Sequence, residues 1–87
     1  MEIEDIKNAL RVYIVKHYAV PPGDADFNDD VHLFDYGYID SFGAVELVAF
    51  VQQAFGVAVS TTDMMAYPMN TINEIATFVS LRQKGEL

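Results

Sequence analysis

Asp40-Ser41-Phe42-Gly43-Ala44-Val45-Glu46-Leu47-Val48-Ala49-Phe50-Val51-Gln52-Gln53-Ala54-Phe55-Gly56 is the stretch on which the fold turns. Asp and Ser are residue types that cap helix N-termini, because a short side-chain oxygen can accept a free backbone N–H of the first turn. Behind them Ala44, Leu47, Val48, Val51 and Phe55 recur at helical spacing on one stripe, and Gly56 closes the run. The spacing predicts a helix over Ser41 to Phe55. Its only charge is Glu46, and Phe42, Val45 and Phe50 lie off the stripe. More of the circumference is apolar than one core contact uses, so this helix is either deeply buried or meets a partner.

Upstream, Ile3, Ile6, Leu10, Ile14 and Tyr18 recur at three and four, with Glu2, Glu4 and Asp5 where a helix N-terminus favours negative charge. A first helix is expected from about Glu2 to Tyr18, stopped by Pro21-Pro22-Gly23. From Pro22 to Asp40 there are six Asp and no Lys or Arg, yet Val31, Leu33, Phe34, Tyr36 and Ile39 are too apolar for a free linker. Leu33 and Phe34 are expected to pack inward on a short turn. Downstream, Ser60-Thr61-Thr62-Asp63 can cap a short helix to about Ala66, ended by Pro68. Thr71 caps a last one, with Ile72, Ile75, Ala76 and Val79 facing inward. Val57-Ala58-Val59 has no partner segment and reads as a loop. The fold class is all-α: a four-helix bundle of three main helices and one short helix, with a long first loop, in a single domain spanning residues 1–87.

Composition bounds the function. With 87 residues, surface scaling gives a folded area of about 5,100 Å² against roughly 14,000 Å² unfolded, enough for one small core. Thirteen Asp and Glu against five Lys and Arg leave a net charge of −8, which repels nucleic acid and anionic membranes. The absence of Cys removes disulfides, thiolate nucleophiles and Cys-type metal sites. No signal peptide is visible at the start and no run is apolar enough to insert in a membrane, so a cytoplasmic location and a monomer are expected.

The feature with most chemistry is Gly37-Tyr38-Ile39-Asp40-Ser41-Phe42-Gly43, a turn that delivers a serine to the start of the apolar helix. As plain structure this is a capping serine. As a site, the hydroxyl stands beside free amides and the positive end of a helix dipole, a place suited to a phosphodiester. Asp40 could help hold the metal ion of a phosphate-transferring enzyme, and Gly43 is expected to keep the surface low for an approaching protein.

These residues, with Val45-Glu46-Leu47 behind them, resemble the phosphopantetheine attachment motif of acyl carrier proteins, in which Asp-Ser-Leu opens an apolar, acid-dotted helix. Chain length, acidity, helix order, the long loop, Phe55 and Thr71-Ile72 extend the resemblance over nearly the whole chain. Phe42-Gly43 after the serine is similar to the D-alanyl carrier branch. The resemblance implies 4'-phosphopantetheine, installed from coenzyme A by a phosphopantetheinyl transferase and attached to Ser41. It also implies cargo held as a thioester, supplied by an acyl- or aminoacyl-activating ligase and passed to downstream acyltransferases or synthases. Asp35, Phe42, Val45 and Glu46 surround the expected attachment point as partner contacts. Gln52, Gln53, Ala54 and Ser60-Thr61-Thr62 replace the acids many fatty-acid carriers have there, and Phe42 and Phe50 replace smaller residues. These departures point to a specialised pathway and tilt the cargo towards small acids.

Other constellations carry less. Asp24 to Asp35 matches an EF-hand loop at its first, third and fifth positions, but Asp29 replaces the turn glycine and Asp35 the bidentate glutamate, so no metal site is expected. Ser41, His32 and Asp35 could be drawn as a triad, but no oxyanion element supports it, and an enzyme is not expected. The rival reading is an unmodified acidic interaction module using the apolar face of the second helix.

Overall fold

The structure, a computed structural model describing residues 1–87, has four helices: α1 (Ile3–His17), α2 (Ser41–Phe55), α3 (Thr61–Ala66) and α4 (Ile72–Gln83). α1 is one residue shorter at each end than its pattern suggests. Glu2 is its cap residue without a side-chain bond, and Tyr18 already leaves helical geometry at φ −115°, ψ 16°. The other helices begin on the residue types that can hold them. The Asp40 carboxylate accepts from Gly43 N–H, Thr71 accepts from Glu74 N–H, and Ser60 and Asp63 form a reciprocal capping box. Gly56 ends α2 with φ +65°, a left-handed turn that a residue without Cβ adopts cheaply.

One core holds these elements together. Ile6, Leu10 and Ile14 of α1 meet Leu47, Val51 and Phe55 of α2 and the buried face of α4, Ile72, Ile75, Ala76, Phe78 and Val79. Burying each large aliphatic side chain contributes about 1.5–3 kcal/mol, so this stripe-to-stripe contact is what orders the chain. Ile3 at the start of the α1 stripe stays exposed, and Tyr18 at its end is half-buried. α3 buries nothing. It is held by Asp63, whose carboxylate accepts from Arg82 at 2.8 Å.

The long connection is folded onto the bundle. Leu33 is fully buried, Phe34 is half-buried, and Val20, Val31 and Ile39 join the core. Leu33 N–H donates to Asn70 O at 2.9 Å and Asn73 N–H to Asp29 O at 3.1 Å, tying the loop to the start of α4. Arg11 Nε reaches the Asp29 carboxylate at 2.7 Å. The pair holds Asp29 below the usual carboxylate range, the hydrogen bond outweighing desolvation. The folded surface is 5279 Å² and the radius of gyration 12.3 Å. Both are close to the values of a compact chain, about 5,100 Å² and about 12 Å.

Candidate functional site

The first turn of α2 sets the geometry. Asp40 is its cap residue, in extended conformation, and its Oδ1 accepts Gly43 N–H at 2.8 Å. Ser41 is therefore the first helical residue and not the cap, so its hydroxyl is not drawn into holding the helix. The N–H groups of Ser41 and Phe42 find no backbone acceptor, as the opening amides of a helix do not, and they stand beside that exposed hydroxyl at the positive end of the dipole. One Asp40 oxygen is engaged by the cap, leaving Oδ2 for a cation.

Gly43 does not do what its sequence context suggested. It is buried, and a Cβ there would lie 2.7 Å from Ile39 Cγ2 and 3.0 Å from Tyr18 Cε1. Its bareness admits the loop and the end of α1, not an incoming protein. The Tyr18 hydroxyl donates to Gly43 O at 3.0 Å. Burial, with Tyr13 and the nearby acids behind it, keeps that phenol protonated far above its ordinary range. Sequence reading placed Tyr18 on the core stripe and missed this contact, which spans 25 residues and leaves no local signal.

The outward face of α2 is apolar near the serine. Phe42 is 84% exposed and Val45 71% exposed, with Glu46 exposed beside them, one turn apart on the same face. Met65 on α3 is equally bare at 84%. Asp35 sits on the preceding turn, where its N–H donates to His32 Nδ1 at 3.0 Å and its carboxylate lies 3.7 Å from that nitrogen. An apolar groove of about 120 Å³ opens between Phe34, Ala44, Leu47, Val48, Met64 and Met69. A larger hollow of about 270 Å³ along α4 takes none of its wall from α2. Phe55 is buried, and Phe50 is half-buried with its ring stacked 4.0 Å from that of Tyr13, so both aromatics fill space inside the bundle.

The acidic loop is spread over separate partners. Tyr38 Oη donates to Asp24 Oδ2 at 2.9 Å, Asp29 pairs with Arg11, and Asp30 accepts from Asn73. No three of its acids and histidines converge on one point. Tyr38 is pushed up to about 12, by desolvation first and the Asp24 hydrogen bond second.

With this geometry in view, the family described as a phosphopantetheine attachment site matches residues 10–79. The chain belongs to that family. Among similar proteins, the D-alanyl carrier protein of Bacillus velezensis is 40% identical over 48 residues, 55% of this chain and 62% of that protein. That of Bacillus licheniformis is 38% identical over 60 residues, covering 69% of this chain and 70% of the relative. That of Bacillus subtilis is 36% identical over 53 residues, 61% of this chain and 68% of the relative. The match thus spans less than two thirds of the Bacillus velezensis protein's length. As a member of the phosphopantetheine attachment family this chain has covalently bound 4'-phosphopantetheine as its prosthetic group. The first turn of α2 fits such a group: an exposed serine free of capping duty and two unpaired amides. No helix is long and apolar enough to cross a membrane.

Proposed function

We propose that Ser41 is the residue that bears the arm, in a cytoplasmic monomer that carries a small aminoacyl group. The observation that carries this reading is the division of labour at the start of α2, where Asp40 caps the helix and leaves Ser41 Oγ free. Ser41 Oγ forms its bond to phosphorus as the pyrophosphate bond of coenzyme A breaks, adenosine 3',5'-bisphosphate leaves, and the serine proton passes to a base of the phosphopantetheinyl transferase. Asp40 Oδ2 faces the metal ion of that enzyme, and the Ser41 and Phe42 amides stabilise the new phosphodiester. Once attached, the arm supplies a terminal thiol that holds a carboxylic acid as a thioester.

The relatives' name, D-alanyl carrier protein, supports an amino acid as cargo. The groove supports the same choice by its size. An apolar cavity of about 150 Å³ takes one benzene, and about 120 Å³ is less than that. A cognate aminoacyl-activating ligase and downstream acyltransferases dock on Phe42 and Val45, with Asp35, Asp40 and Glu46 facing Lys or Arg on the enzymes.

Incubation with coenzyme A, magnesium and a broad-specificity transferase tests the assignment by intact-mass spectrometry. One arm is expected on the wild type and none on Ser41→Ala. An unmodified wild type beside a fully converted control carrier overturns the reading and leaves the plain interaction module.

A further inference from the structure

Ser41 has no side-chain anchor of its own, so its position is inherited from the turn it stands on, and that turn is gripped at Gly43. Asp40 Oδ1 takes the Gly43 N–H at 2.8 Å, while Tyr18 Oη gives its proton to the Gly43 carbonyl at 3.0 Å. The Tyr18 ring fills the space a Cβ would need, with Ile39 on the other side. Tyr18 is in turn braced. Its ring meets Tyr13 edge-on at 5.8 Å, and Tyr13 is itself stacked between Phe50 at 4.0 Å and His17 at 4.1 Å. The two phenol oxygens are 3.5 Å apart. This aromatic stack runs from the end of α1 to the middle of α2, and its last member is hydrogen-bonded two residues from the serine. α1 and α2 both pack on α4, and these side chains add a direct link from the end of α1 to the first turn of α2.

We propose that Tyr18 is a positioning residue for arm attachment: by holding the Gly43 carbonyl it sets where Ser41 Oγ stands for in-line attack on phosphorus. The inference rests on Ser41 being the attachment residue. In-line displacement is sensitive to placement, since a displacement of about 1 Å at a reacting atom can cost on the order of 10²-fold in rate. Docking on Phe42, Val45 and Glu46 does not involve the phenol. Loss of the phenol is therefore expected to slow the step and spare the binding.

Steady-state kinetics of transfer from coenzyme A onto Tyr18→Phe, which keeps the ring and removes only the O–H, makes the test. kcat is expected to fall about fivefold or more, within the roughly 10²-fold that misplacement of a reacting atom can cost, with KM for the carrier within about twofold. Gly43→Ala, which pushes the turn off Tyr18 while leaving the phenol in place, is expected to lower kcat likewise. Thr71→Ala, which removes the α4 cap far along the chain from Ser41, serves as the control for lost stability and is expected to leave both constants unchanged. Wild-type kcat in Tyr18→Phe overturns the proposal whatever Gly43→Ala does, as does an equal loss in Thr71→Ala. If the wild type itself takes no arm, the assignment of Ser41 has failed and the role of Tyr18 fails with it, an outcome distinct from normal transfer to the variants.

Discussion

At the residue scale, adjacent side chains at the start of α2 separate into structural and chemical duties. Asp40 accepts the Gly43 N–H, so Asp40→Ala is expected to destabilise the fold by about 1 kcal/mol, the usual worth of a lost cap. Ser41 holds no cap, so Ser41→Ala should leave the urea midpoint within error of wild type. Denaturation of the pair checks this, and a larger loss for Ser41→Ala than for Asp40→Ala would show that the serine is the structural residue. Ala19 gives an independent check on the end of α1. It is exposed and holds φ +53°, a conformation costly for any residue with a Cβ. Ala19→Gly should raise stability by about 0.5–1 kcal/mol, after the greater freedom of unfolded glycine is subtracted. No change or a loss in melting temperature would mean the left-handed turn is not populated in solution.

At the scale of elements, α3 differs from its neighbours because polar contacts, not buried side chains, keep it in place. Asp63 accepts from Ser60 N–H and from Arg82, and those bonds hold its carboxyl below the ordinary 3.8. A depressed folded value means the stabilisation is complete above the unfolded value and is lost as pH falls through the folded one. Acidification below about pH 3.8 should therefore loosen α3 before the core. In methyl NMR, Met64 and Met65 should shift at a higher pH than Ile72 and Val79. Simultaneous shifts would refute the polar tether. Helices were the part of this structure most legible in the sequence. Ser60, Thr71 and Gly56 act on backbone groups within three or four residues of themselves, and the stripes of α1, α2 and α4 report burial at a fixed period. The serine turn was legible for the same reason. What the pattern could not give were contacts between distant residues, such as Arg11 with Asp29 and Tyr18 with Gly43. For that reason Gly43 was read as a bare outward surface, when it is the buried seat of an aromatic ring.

At the scale of the whole molecule, the bundle is a compact handle of net charge −8 with the exposed apolar side chains Phe42 and Val45 beside the exposed Ser41. Phe50 and Phe55 take up interior space, and the groove against α2 holds about 120 Å³. Burying a chain methylene is worth about 0.8 kcal/mol only where the core can receive it. Melting temperature is therefore expected to stay flat as the arm is loaded with straight acyl groups of increasing length. A steady rise with chain length would mean that the helices part to shelter the cargo, and that the carrier serves fatty acids. All of this presupposes that the arm stands on one residue. Peptide mapping by tandem mass spectrometry, on protein purified after co-expression with a transferase, locates the added mass directly. The account predicts it on Ser41 alone; an arm on any other serine, or none beside a fully modified control carrier, would contradict it.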